Sequence, residues 1–308
     1  MKPIRIISTQ DRDILQVRFW PTDICNFNCS YCFPGSHDNK FRYPKNFDFI
    51  LEKFRSIFDE YLSKGKTKFH LTISGGGEPT LWPRLEDFCR QIKESHDVFI
   101  TLVSNGSRTL EWWKNNYRYF DDVVLSFHIA ESKIDHHCDV ADFLYEKKLK
   151  VTSLILMDYQ RWNDCVSTID QMMTSKWPWV IQTKEIVDAP GHGIESYSNE
   201  QKDYLKNSIK RIPSSDRLLE NLDDHKLHQS VAIFDDNSAQ CCRPHTLILN
   251  DWNNFKGWKC NLGNESIIIT VDGQVLGSCG IKFSDDGTVI CPNNICSCQP
   301  DTHISKFS

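Results

Sequence analysis

A chain of 308 residues can bury a full core, and one large domain with a small appendage is its natural division. Its 36 basic and 41 acidic residues leave a net charge of −5, which gives no electrostatic case for nucleic acid or a membrane surface. No apolar run reaches the roughly 18 residues of a membrane span, and the first residues carry no apolar signal core, so a cytoplasmic protein is expected.

Residues 14–22 are β-branched and aromatic and predict a first strand. Phe47, Ile50, Leu51, Phe54, Phe58, Tyr61 and Leu62 then recur at helical spacing. A second strand is expected at 68–74, followed by a helix with Leu85, Phe88, Cys89 and Ile92 on one face. Further strands are expected at 97–103, 122–128, 149–157 and 179–183, with helical stretches between them. Six such units in a row imply an α/β fold, a parallel sheet covered by helices. It is drawn here as a partial (β/α)6 TIM-like barrel over residues 1–185. A doubly wound sheet has the same periodicity. Residues 186–245 read as a connecting segment with a helix around 199–212, and residues 246–308 as a small cysteine-rich C-terminal unit.

Thirteen cysteines are the anomaly of the composition. Without a secretory signal they are poor disulfide candidates, and metal ligation explains them better. Cys25, Cys29 and Cys32 follow the first strand as C-x3-C-x2-C, at the end where barrel loops converge. Three thiolates suit three irons of a [4Fe–4S] cube and leave the fourth iron open; a zinc knuckle lacking one ligand is the alternative. The segment Ser74-Gly75-Gly76-Gly77-Glu78-Pro79-Thr80 ends the second strand. A glycine triplet alone is most often a plain turn.

Together the two motifs resemble the radical SAM superfamily, with Tyr31 as the aromatic residue before the third cysteine and Gly76 to Pro79 as a GGEP motif. The resemblance implies a [4Fe–4S] cluster with an open site, S-adenosyl-L-methionine (SAM) chelating that site through its amino and carboxylate groups, and reductive cleavage of SAM to a 5′-deoxyadenosyl radical. A reductase such as flavodoxin or ferredoxin would supply the electron. Gly76 and Gly77 would let the backbone approach the methionine end of SAM, and Glu78 would accept from its ammonium group. Ser104 or Asn105 would contact the ribose, with an Asn-Gly turn as the alternative. Ser126 and His128, ending the fourth strand, are placed as contacts to SAM or substrate. Cys89 and Cys165 read as core, and His136-His137-Cys138 as a solvated loop before a helix.

In the C-terminal unit, Cys260 and Cys279 flank a hairpin, with strands at 267–271 and 275–278 around an Asp272-Gly273 turn. This arrangement resembles the SPASM and twitch extensions of radical SAM enzymes. It implies an auxiliary [4Fe–4S] cluster on Cys260 and Cys279, completed by two of Cys291, Cys296 and Cys298. The spacing departs from the full SPASM pattern, so one auxiliary cluster is expected rather than two, and structural zinc is the alternative. Cys241 and Cys242 keep three readings: a further ligand, a catalytic thiol that donates hydrogen, and a buried pair.

An auxiliary cluster beside a radical site points to an oxidoreductase that oxidises, cross-links or epimerises a peptide or protein side chain. A small-molecule dehydrogenase or epimerase of the twitch type is the alternative. The contrasting class is a non-catalytic Fe–S or zinc protein. Only about 13 residues precede the first expected strand, so a leader-peptide recognition domain is not expected there.

Overall fold

The computed structural model describes residues 2–32, 43–176, 178–187, 196–207, 210–211, 230–242, 244–277, 279–284, 286–296 and 304–308. In chain order the elements are β1 (Pro3–Ser8), β2 (Ile14–Phe19), α1 (Phe47–Ser63), β3 (Lys68–Ile73), α2 (Leu85–Ser95), β4 (Val98–Ser104) and α3 (Leu110–Asn116). Next come β5 (Asp122–Phe127), α4 (Ile134–Glu146), β6 (Lys150–Met157), α5 (Trp162–Met172), β7 (Val180–Glu185), α6 (Asn199–Asn207) and β8 (Lys210–Arg211). The rest are short: β9 (Ser230–Phe234), β10 (Ala239–Cys242), α7 (Pro244–Leu249), β11 (Lys259–Cys260), α8 (Leu262–Glu265), β12 (Ser266–Ile269), β13 (Val275–Leu276), β14 (Val289–Ile290) and β15 (Lys306–Phe307).

The larger sheet runs β13-β12-β2-β3-β4-β5-β6-β7-β8, and the six strands β2 to β7 are parallel to one another. This is the partial (β/α)6 barrel. Strand alternation builds it. Leu15, Val17 and Phe19 are fully buried toward the helices, where the Phe19 ring meets Phe54 at 5.0 Å and Phe88 at 5.3 Å. Asn46 starts α1 by accepting from the Phe49 amide at 3.0 Å, and the helix buries Ile50, Leu51, Phe54, Ile57, Phe58 and Tyr61. Gln16 and Arg18 alternate to the concave side. Register aligns Ser266, Gln16 and His70 there, and above them Arg18, Thr72, Thr101 and Asp122. The barrel floor is therefore mostly polar, with Phe99 beside His70 and Ile268 beside Arg18.

Three expectations change. Residues 3–8, which fall within the expected barrel span but carry no expected strand, form β1, the centre of a second sheet ordered β10-β9-β1-β15-β11-β14. Six residues show too little periodicity to reveal a strand whose partners lie at the other end of the chain. The hairpin expected in the C-terminal unit forms, β12 pairing antiparallel to β13, but it also extends the barrel: β12 pairs parallel to β2. The sheets thus do not follow the divisions at 185 and 245. Finally, His136, His137 and Cys138 lie inside α4, not in a loop. His137 is buried because its ring packs edge-on to Phe127 at 5.1 Å and its Nε2 meets the Ser153 hydroxyl on β6. Among the described residues no helix is long and apolar enough to cross a membrane.

Candidate cluster and cofactor site

The cysteine loop leaves β2 and is tied to three neighbouring strand ends. After β3, the Glu78 amide donates to the Ile24 carbonyl at 2.7 Å. After β4, the Asn105 side-chain amide donates to Asn26 Oδ1 at 3.0 Å, and the Ser107 hydroxyl reaches the same oxygen at 3.2 Å. After β5, His128 contacts Tyr31 and Cys29, and Glu131 accepts from the Asn28 amide at 3.4 Å. Within the loop, the Cys32 amide closes a turn onto the Cys29 carbonyl at 3.1 Å.

All three thiols are at least half-buried, and burial pushes each one up, Cys29 to about 11. The neighbouring thiols raise Cys25 and Cys29 further, and Glu78 adds to Cys25. A buried group of mutually repelling thiolates calls for a cationic partner. Cys25 Sγ already accepts from the Phe27 amide at 3.4 Å and from Asn105 Nδ2 at 3.8 Å, donors that suit a thiolate. Three thiolates in one short loop fit a cluster with one open iron. Among the described residues, no group of three or more His, Cys, Asp or Glu side chains is drawn together as a site for a single ion.

Glu78 is the hub of the neighbouring loops. Its Oε1 accepts from the Thr80 amide at 3.0 Å, the Thr80 hydroxyl at 2.6 Å and the Ser104 hydroxyl at 2.8 Å. Its Oε2 accepts from the Asn105 amide at 2.6 Å. The carboxylate is 2% exposed; burial raises its pKa while these donors oppose the rise. Two of the side chains expected to meet SAM, Glu78 and Ser104, are thus already bonded to each other, while the Asn105 side chain turns to Asn26 and Cys25. Ser104 also accepts from the Gly106 amide at 3.0 Å. Gly76 is exposed at the mouth, and Ser126 is half-buried on the concave side of β5. Asn26, Thr80 and Glu131 were missed by sequence reading. Asn26 and Thr80 lie inside the motifs themselves, but nothing local marks Glu131.

The C-terminal cysteines divide. Cys260 is buried with Leu262 and Ile304, and Cys279 packs against that group. Cys291 continues the β11–β14 pair, its amide donating to the Trp258 carbonyl at 2.8 Å, while Cys260 faces Val289. Alternation puts Cys260 and Cys291 on one face. Cys296 and Cys242 belong to a second apolar group with Ile6, Ala232, Phe234, Leu247 and Phe255, and Cys291 packs against that group. Burial pushes the Cys242 thiol up, which suits packing better than reactivity. Cys241 is exposed on β10, an edge strand. Cys298 lies outside the described residues. Cys89 and Cys165 are core, as expected. One residue without any sequence signal is Lys306, 1% exposed and directly across from Cys260 on β15. Its Nζ donates to the Ile304 carbonyl at 3.1 Å and lies 5.0 Å from the centre of the Phe255 ring, and a buried positive charge near the cysteines suits a site that carries negative charge.

Comparison with known proteins accords with this geometry. Residues 21–172 match the Radical SAM superfamily. The chain is 34% identical over 113 residues to GTP 3′,8-cyclase of Edwardsiella ictaluri, covering 36% of this chain and 30% of that protein. It is 28% identical over 102 residues to a GTPase Obg of Brachyspira hyodysenteriae, covering 33% and 15%. The matches thus span a third or less of those relatives. A solved structure, hexahistidine-tagged anSMEcpe with bound AdoMet, superposes with a TM-score of 0.55 over 88% of this chain and 75% of that one, at 17% identity.

Proposed function

Because the chain belongs to the radical SAM superfamily, we propose that Cys25, Cys29 and Cys32 hold a [4Fe–4S] cluster with an open iron, and that the concave face beside them takes SAM and a polar substrate. When bound, these groups supply reductive cleavage of SAM and a 5′-deoxyadenosyl radical that abstracts hydrogen from the substrate. The chain's own residues hold the parts. Phe27 and Asn105 donate to the Cys25 sulfur, and Glu78 locks the ends of β3 and β4 beneath the cysteine loop. Gly76 and Gly77 offer backbone to the methionine end of SAM, and Ser126 faces the cofactor or substrate from β5.

The observation that carries this reading is the anchoring of three half-buried thiols of one loop at the ends of β3, β4 and β5. Dithionite-reduced protein with SAM is expected to release 5′-deoxyadenosine, and the Cys25, Cys29 and Cys32 triple alanine variant to release none. No 5′-deoxyadenosine from iron-replete wild type would favour a non-catalytic Fe–S protein.

The concave face favours a small polar substrate over the peptide side chain. Gln16 Nε2 and Ser266 Oγ, register mates on β2 and β12, are buried without a hydrogen-bond partner among the described residues. Buried polar atoms of this kind call for water or a ligand group. A peptide side chain, the expectation from the sequence, is the second reading. Cys260, Cys279, Cys291 and the buried Lys306 support an auxiliary cluster and, with it, an oxidoreductase outcome.

A further inference from the structure

We propose that Tyr31 and His128 form a hydrogen-bond relay to the Cys29 sulfur that sets the reduction potential of the N-terminal cluster. This rests on the cluster reading above. His128 Nδ1 lies 2.8 Å from the Tyr31 hydroxyl and 3.4 Å from Cys29 Sγ. The imidazole is held from every side. It stacks on the Tyr31 ring at 5.9 Å and 11°, and meets Phe27 edge-on at 5.8 Å. Its backbone amide donates to the Ser132 hydroxyl at 3.0 Å, and its carbonyl accepts from the Ser132 amide at 2.8 Å. Phe27 and Tyr31 both belong to the cysteine loop, so that loop grips a ring planted just beyond β5.

The proton positions follow from charge. A cluster ligand is a thiolate, and a bare Nδ1 lone pair facing it would repel it. The neutral ring therefore carries its hydrogen on Nδ1. That N–H donates to the Tyr31 oxygen, with the sulfur also in reach, and frees the phenolic O–H to donate to Cys29. The Tyr31 hydroxyl correspondingly pulls the Cys29 thiol down against its burial. Donors aimed at a cluster sulfur withdraw charge from the irons and make reduction easier. Cys25 has its own donors, the Phe27 backbone amide and the Asn105 side-chain amide, and these are left intact when Tyr31 and His128 are replaced.

The test is an EPR-monitored redox titration of reconstituted wild type, Tyr31→Phe, His128→Phe and the double variant, with iron measured in each. The signal followed is the one missing from the Cys25, Cys29 and Cys32 triple variant. Each single variant keeps its iron and moves the midpoint negative, by up to about tenfold in the reduction equilibrium, which is 59 mV for one electron. The double variant moves no further than Tyr31→Phe, because one relay can be broken only once. His128→Asn, whose amide can still donate, recovers part of the shift. Unchanged midpoints at full iron would overturn the relay. Where a variant loses its iron, wild type labelled with 15N-histidine decides: the reduced cluster shows a 15N coupling by pulsed EPR, and absence of that coupling overturns the relay equally. A triple cysteine variant that retains all its iron would instead overturn the cluster assignment.

Discussion

A β-carbon on Gly77 would stand 2.2 Å from the Ile24 carbonyl oxygen, the same oxygen that accepts the Glu78 amide at 2.7 Å. The glycine is required by the backbone of the cysteine loop. Gly77→Ala is predicted to cost at least about 3 kcal/mol, because the obstacle is backbone and cannot rotate away. Gly65→Ala is the control: Gly65 has φ 91° but open space around it, so only conformational strain of about 1 kcal/mol is expected. Urea unfolding of the two apoproteins checks the contrast, and equal midpoints would refute it.

Glu78→Gln is predicted to destabilise the fold by about 1.5–3 kcal/mol, the range for hydrogen bonds to a charged group. Gln keeps one acceptor, while its amide must face a donor, either the Asn105 amide or the Thr80 and Ser104 group. Unfolding measurements and SAM calorimetry on iron-matched protein separate the two roles of this residue. Full stability with weakened SAM binding would make Glu78 a ligand contact and not a structural hub.

Lys306→Met is predicted to lower the iron bound by the C-terminal cysteines while sparing the iron held by Cys25, Cys29 and Cys32. The reason is the buried ammonium opposite Cys260, whose removal leaves thiolate charge uncompensated. Iron and sulfide analysis, set beside Cys260→Ser, gives the comparison. Full iron in Lys306→Met would mean the lysine serves packing alone, through its contact with the Phe255 ring.

Apoprotein stability is predicted to fall on acidification below pH 6.5. Burial holds His70 down to about 4 and His137 down to about 3, so both favour the folded state while neutral. That contribution is present above the ordinary histidine value and is lost as pH falls toward the depressed ones. Asp122 opposes it: burial lifts its carboxyl to about 6, so its contribution is present at low pH and lost as pH rises. His128, which burial also holds down to about 4, adds to these histidines, and Glu78, whose carboxyl burial raises, joins Asp122 in opposing them. Three histidines against two carboxylates leave a net uptake of about one proton on unfolding near pH 5, or about 1.4 kcal/mol per pH unit. Denaturant titrations at pH 6.5 and 5 measure this slope, and His137→Gln is expected to flatten it. A slope unchanged by that substitution would show that other groups set it.

The sequence alone determined the six parallel strands and both motifs. Each is written in local spacing: two-residue alternation for the strands, and three cysteines close enough together to share one loop. A ligand set confined to a loop needs no tertiary information to be recognised. Tertiary structure decided what that loop touches. Tyr31 and His128 are 97 residues apart, and nothing near either residue marks the other. The same holds for Ser266 beside Gln16, for Lys306 across from Cys260, and for Pro3–Ser8 joining a sheet made mostly from the far end of the chain. Glu78 shows both levels in one residue. Its motif announced a site, but its four donors come partly from β4 and the loop beyond it, and only strand order brings them to the carboxylate. Register between distant segments is set by the fit of whole faces, which short-range periodicity does not encode.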